Sequence, residues 1–426
     1  MQLKKTNITG ALLAASCSLL GSTTQADDWN VDTAIMYYGE QDRVSALEGV
    51  IVGNKTFKND AVFNAKFVID SLTGASANGA VPQNTAQTFT RPSGNGQYQA
   101  EAGEIPLDDT FKDTRGQLDV QWTQPFMADN TFSTGIHISA EHDYQSVALN
   151  GMLGRDFNQK NTSVSLGLSY AMDVIDPVGG QPVGLSEMVV NLGQYASDDE
   201  FRTAFDLTRD DSADDTKNTL DVLLGVTQVI NRRWITQFNF GISEVDGYQT
   251  GPYKVVSVVD ASGTTQSNLY EQRPDTRSKH TFFAQSKYQF SKNIWDFSYR
   301  YAGDDWGITS HTLDTRYRIP FGNNNYIEPH VRYYQQSEAD FYTPFLVDSE
   351  ATPEFASADY RIGKMDAYTF GIKYGKKLSK GHEYGVRLEY YSQVPKDVGK
   401  NRPGQLQDQD LFPKLDALIL QFNYSF

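Results

Sequence analysis

Charged side chains recur at every second position along the C-terminal half of this 426-residue chain, and that spacing is the first pointer to chemistry. Asp296 and Arg300 share one parity of their segment, as do Asp314, Arg316 and Arg318, then Glu328, His330 and Arg332. Lys373, and further on Arg387 and Glu389, continue the pattern. Successive side chains of an extended chain point to opposite faces, so residues of one parity share a face. Acids and bases interleaved on such a face form an ion-pair ladder. Around a confined aqueous space, a ladder sets up a transverse field that selects small ions or polar solutes. In a space too narrow for water it is a salt-bridged filling that conducts nothing, and leaving any of its charges unpaired would be costly.

Three smaller groups also invite chemistry. Asp108, Asp109, Asp113 and Arg115 end a long stretch punctuated by Gly74, Gly79, Gly94 and Gly96, with Pro106 fixing a bend. Loops of that length without structure of their own are functional or disordered. The four residues either clamp a cation or pair among themselves. The stretch either folds inward as a constriction or stays at the surface, held by Asp–Arg pairs. Glu141-His142-Asp143 is a histidine between two acids at the end of a segment, and a hydrolase would need partners that sequence does not place beside it. The acidic runs SDDE (197–200) and DDSADD (210–215) lack the spacing and glycine of an EF-hand loop, so no metal site is expected.

The elements that position these residues read as strands. Val31, Thr33, Ile35 and Tyr37 alternate with Asn30, Asp32 and Ala34, and Phe63, Ala65, Phe67 and Ile69 with Asn64, Lys66 and Asp70. The same period of two runs through Leu118, Val120 and Trp122, through Val164 to Met172, and through Tyr384, Val386, Leu388 and Tyr390. A soluble sandwich also alternates. Charges deep in the strands and aromatic ends on the apolar face favour a membrane barrel, apolar toward lipid and polar toward the lumen. Short turns fall near 58–60, 128–130, 158–160, 231–233, 291–293, 322–325 and 379–382. Long polar loops fall near 73–113, 174–216, 247–277, 338–364 and 396–411, which a barrel places outside the cell. Counting segments predicts an all-β, antiparallel up-and-down transmembrane barrel of 16 strands, within a range of 14 to 18. The last stretch, LQFNYSF, puts Phe422, Tyr424 and Phe426 on one face, the pattern that the barrel assembly machinery reads in a closing strand.

Residues 1–26 read as a cleaved signal peptide: a basic start, a short apolar run, and Thr24-Gln25-Ala26 before Asp27. Cys17 admits a rival, lipoprotein processing, which Ala14-Ala15-Ser16 fits poorly. Cleavage removes the chain's one cysteine, leaving no disulfide or thiolate chemistry. It also removes Lys4 and Lys5 with no acid, taking the net charge from −16 to −18. Such acidity argues against a nucleic-acid partner. With mean hydropathy of −0.50 and no long apolar helix after the leader, membrane entry requires a closed barrel. Haem, phosphate-loop, dinucleotide and zinc-hydrolase motifs are absent, so no cofactor is expected.

Eight stretches carry a family resemblance. Five are DSLTGASANGA (70–80), QTFTRPSG (87–94), residues 106–115 (Pro106-Leu107 followed by DDTFKDTR), SAEHDYQS (139–146) and DFNQKNTSVSLGL (156–168). The other three are LLGVTQVINRR (223–233), DDWGITSHT (304–312) and RYYQQSEADFY (332–342). In order and spacing they resemble the bacterial family called domain of unknown function 3570, across essentially the whole mature chain. The resemblance implies a Gram-negative outer-membrane barrel without established activity. It also implies a periplasmic lipoprotein partner, since members are often encoded near a small lipoprotein, a flavin-transferring enzyme and a thioredoxin-like protein. The reading preferred here is a non-enzymatic channel or conduit for a small polar solute or ion, in contact with outer-membrane lipid. The alternative is a scaffold or sheath for a periplasmic redox lipoprotein without a free pore, and the remote one a rim hydrolase.

Overall fold

A strand with one apolar face cannot be stable alone in a bilayer, because its backbone groups need partners on both edges. In the computed structural model, which describes residues 29–41, 43–210 and 215–426, that need is met by closure. Sixteen antiparallel strands form one closed barrel, beginning with Trp29–Glu40 and ending with Leu415–Ser425. These two strands pair from Asp32 opposite Ser425 to Glu40 opposite Ala417, so the sheet has no edge. The leader with Cys17, and all but the ends of the acidic run 210–215, lie outside the described residues.

The alternation of the sequence maps onto the two faces of this wall. Ile35, Leu47, Phe67, Leu149, Leu168 and Phe370 all point outward and exposed, Leu149 at 64%. A continuous exposed apolar band suits lipid and would be a liability in water. Aromatic rings gather at the turn end of the barrel, where Trp234, Tyr288, Phe290 and Tyr317 touch in succession. Two indoles there donate to hydroxyls one strand away, Trp234 to Ser286 and Trp295 to Thr315, both at 2.8 Å. An apolar ring with one satisfied polar atom is what the lipid–water boundary accepts. At the loop end Tyr299, Tyr301, His280 and His311 form a second aromatic patch.

Connections at the turn end are tight. Asn158, Gln159 and Lys160 adopt left-handed backbone, as do Asp60 and Asn324. At the other end five connections are long, spanning 78–106, 176–215, 248–275, 337–364 and 396–414. Strands run further into the first of these than alternation suggested. Val62–Ala77 and Leu107–Pro125 stay paired past a bulge at Gly74, with Ser76 opposite Asp108. Asp108, Asp109, Asp113 and Arg115 therefore sit on the barrel wall and its rim, not in a constricting loop.

The five long connections knit together over the barrel mouth. Val255–Val259, Thr265–Tyr270 and Leu346–Val347 make a three-stranded sheet from two different loops. The first loop joins it where Val255 donates to the Asn78 carbonyl at 2.8 Å. The others join through Leu185 to Tyr270 at 3.0 Å and Gln405 to Ser262 at 2.9 Å. Phe89, Val255, Val259, Phe345 and Leu406 are fully buried among these loops, a small core of their own. The loops are rooted at widely separated points of the rim, so loops that bond to one another must cross the mouth. They form a cap. The helix Asp198–Asp206 is part of it, capped by Ser197 and burying Phe201 and Phe205.

The orientation of Leu149 gives a direct test. Leu149→Arg should cost about 2–4 kcal/mol of folded stability in lipid vesicles, as for a cation near the bilayer midplane. Asn150→Arg, one residue on and facing inward, should cost much less. Denaturant unfolding of both variants in the same vesicles checks the difference.

Candidate functional site: a charged inner wall beneath a loop cap

The charges singled out by parity fall on five strands, Ile294–Asp304, Thr309–Phe321, Asn325–Gln336, Met365–Lys377 and Glu383–Pro395. They share the face opposite Leu313, Val331, Ile372 and Leu388, which is the interior. Register then places partners side by side: Asp314 opposite Arg332, Arg316 opposite His330, Glu328 opposite Lys373 and Lys373 opposite Arg387.

The contacts run as a chain. Arg332 donates to Asp314 at 2.7 Å, and the same carboxylate oxygen meets His330 Nε2 at 2.9 Å. His330 Nδ1 reaches Glu389 at 2.8 Å, and Arg387 lies 3.3 Å from that carboxylate. Arg387 is also 3.8 Å from Glu328, which accepts from Arg318 at 2.9 Å. Arg316 lies 3.8 Å from Asp314. Asp296 pairs with Lys287 at 3.3 Å and accepts from Gln285, while Arg300 lies over the Phe283 ring. A neutral imidazole has one N–H, so a histidine between two carboxylates satisfies both only as imidazolium.

Two glycines make this ladder fit. Gly371 lies between His330 and Glu389 in the register, and a Cβ there would come within 2.7 Å of the Glu389 Cγ. Without a side chain at 371 the histidine and glutamate meet across the vacant position. Gly375 does the same for Tyr326, whose ring would collide with a Cβ at 2.1 Å. Tyr326 lies flat under Arg318, 4.2 Å from ring centroid to guanidinium, and donates to Glu383 at 2.6 Å.

The facing half of the barrel has the opposite balance. Its inward positions include Asp32, Asp70, Asp119, Asp156, Asp173 and Asp221, against Lys66, Arg115 and Lys217. Arg115 clasps Asp70 through two nitrogens at 2.7 and 2.8 Å, so it does not serve Asp108, Asp109 or Asp113. Asp119 takes His137 at 2.6 Å, and Asp173 takes Lys217 at 2.7 Å. Asp109 pairs with Arg91 at the exposed rim, and Asp108 accepts from Thr110. This acidic wall is not among the groups singled out from sequence, though the same period of two carries it.

Asp113 belongs with residues that sequence placed in another group. Oxygens of Asp113, Glu141 and Asp143 all lie within 4.8 Å of one another, a donor set of the hard-oxygen kind that divalent cations take. Burial, then the Asp113 and Asp143 carboxylates, push the Glu141 carboxyl up to about 8. His142, the residue a hydrolase would use, has an exposed side chain, and its backbone N–H approaches Asp113 at 3.4 Å.

A second charged cluster, unforeseen, lies inside the cap. Arg273 reaches Glu271 and Asp359, each at 2.7 Å, and Arg361 also clasps Asp359. Burial alone would raise the Asp359 carboxyl, but Arg361 and Arg273 hold it well below the usual range. Lys254 is buried beside them, bonded to the Ala77 carbonyl and to Ser76, and burial pushes its ammonium down to about 8. The legible signal was the acid–base spacing of two in Glu271-Gln272-Arg273 and Asp359-Tyr360-Arg361, which sets both charges on one side of an extended segment.

Closed wall, lipid-facing apolar band, short turns and long loops define a bacterial outer-membrane β-barrel. Within that class, the chain belongs to the family described as a protein of unknown function, DUF3570, which it matches over residues 9–426. Among solved structures it is similar to a bacterial polysaccharide outer-membrane secretin, at 9% identity and TM-score 0.41, covering 95% of this chain and 100% of that one. It is similar to OpdK of Pseudomonas aeruginosa at 9% identity and TM-score 0.37, covering 94% and 100%. A loop-deletion mutant of OmpT from Vibrio cholerae gives 8% identity and TM-score 0.41, covering 94% and 98%. No curated protein matches the chain.

Two outcomes follow from this geometry. Gly371→Val should push Glu389 off His330 and lower stability by about 1–3 kcal/mol, the usual cost of overpacking, as read by thermal unfolding in detergent. Glu141 titrates near 4.5 when unfolded and about 8 when folded. Its contribution is therefore complete below 4.5 and is lost as pH rises to about 8. Between about pH 5 and 9 the melting temperature should fall more steeply for the native chain than for Glu141→Gln.

Proposed function

We propose that the barrel is a channel or conduit for a small polar solute or ion, gated at its loop end by the cap. The observation that carries this reading is the asymmetry of the inner wall. Cations outnumber carboxylates on one half and carboxylates outnumber cations on the other. A solute between them crosses a transverse field rather than a uniform one, which orders polar molecules and discriminates by charge. The cations are also wetted: Arg332 keeps 46% of its side-chain surface exposed and Arg316 keeps 33%. A ladder serving only to fill a narrow barrel would bury those heads.

The cap supports a second reading, a barrel without a free pore that serves as scaffold for a periplasmic partner. Single-channel recording of the refolded mature protein in a planar bilayer separates the two. Under the channel reading a salt gradient gives steady conductance with a defined reversal potential. Neutralising the basic wall with Arg316→Met and Arg332→Met then moves that potential toward cation preference. A folded barrel that stays silent, or a reversal potential unmoved by both substitutions, would favour the scaffold.

A further inference from the structure

Where the cap meets the seam of the barrel there is a cleft. Its floor is the inner face of the wall near Gln393 and Leu415, and its sides are cap residues such as Tyr342, Pro344 and Phe412. Proline and aromatic rings share the lining with aliphatic side chains, and few polar groups stand among them. Small-molecule sites have this build, a mostly apolar concavity with a few fixed polar groups.

Of those polar groups Asp359 is paired with Arg273 and Arg361, but Gln393 is left with an unsatisfied donor. Gln393 is 2% exposed, and its amide oxygen accepts from Tyr391 at 3.1 Å. Its amide nitrogen is buried without a hydrogen-bond partner. A buried donor left unpaired costs free energy that a ligand acceptor would recover. Arg43, also lining the cleft, makes no ion pair among the described residues. Asp359 also lines the cleft, but Arg273 and Arg361 both pair with it, and together with Lys254 behind the wall these cations outnumber Asp359 and Glu271. Lys254 is held to the carbonyl of Ala77, itself a lining residue. The unpaired amide donor, a guanidinium without an ion pair among the described residues and the surplus positive charge call for an anionic acceptor. The rings call for a flat apolar body, since stacking and edge contacts reward planar surfaces.

We propose that this cleft binds a small carboxylate with a flat apolar body, its carboxylate between Gln393 Nε2 and Arg43 and its body against the proline and aromatic lining. A neutral ligand leaves Arg43 uncompensated, and a cation is repelled. The site lies where the cap meets the barrel wall, at the loop end. Binding there does not depend on conduction, and the two are measured separately.

The test is a fluorescence titration of the full chain, refolded in detergent, with 2-naphthoate as probe. The same-shaped cation 2-naphthylmethylammonium is the comparison. Saturable binding of naphthoate alone is expected. Gln393→Glu, which replaces the donor by a like charge, and Arg43→Met, at the rim, should each weaken it by about tenfold or more, the worth of one charge-assisted hydrogen bond. Heat-modifiable migration on gels confirms that each variant is folded, and Arg43→Met decides alone if Gln393→Glu is not. Absence of saturation, equal binding of the ammonium probe, or full affinity in the folded variants would overturn the site.

Discussion

Everything in this molecule depends on the hydrogen bonds between the strand Trp29–Glu40 and the strand Leu415–Ser425. In hydrocarbon an unpaired N–H or C=O costs several kcal/mol, about as much as a whole side chain contributes by burial. A sheet with two free edges would carry a row of such groups on each. Closing it removes all of them at once, and Val31 and Phe426 exchange the last two bonds of the seam at 2.7 and 2.9 Å. Closure also fixes the interior. Once the ring is complete, a residue's parity decides whether it meets lipid or lumen.

The charged ladder is a consequence of that division. A cation has no place on the lipid face, so the charges of these strands collect inside, where pairing and water hold them. Their arrangement follows from register more than from attraction. His330, Gly371 and Glu389 are neighbours because three strands are paired as they are, and the glycine leaves the space in which imidazole and carboxylate meet. The same holds for Tyr326 over Gly375. Polar packing inside this barrel alternates large and absent side chains, as an apolar core does with large and small ones.

How much of this was legible depended on the range of the interaction. Alternation is local, so Ile35, Leu118 and Leu388 could be assigned to the outer face from a few neighbours each, and Asp314, His330 and Arg387 to the inner. Contacts across strands need register, which depends on turn lengths and bulges. Arg115 is near Asp108, Asp109 and Asp113 in sequence, yet it faces Asp70, its register partner. Asp113 and Glu141 stand in separate sequence groups, and only the pairing of Leu107–Pro125 with Asn130–Ala140 brings the turn 141–143 beside Asp113. The cap was least visible. Its strands are short, its core is built from single residues such as Phe345 and Leu406, and nothing local distinguishes them from apolar residues in an exposed loop.

The bonds of the cap join very distant parts of the chain. Gln405 donates to Gln83 across 322 residues, and Gln409 to Asn84 across 325. Contacts of such separation form late, since the intervening chain must first be ordered. No loop can complete the three-stranded sheet or bury Phe345 and Leu406 until the strands beneath have taken their final places around the ring. The cap is thus a record of finished assembly. A barrel arrested one hairpin short would present five loose polar loops to proteases, whereas a closed one presents a single packed surface.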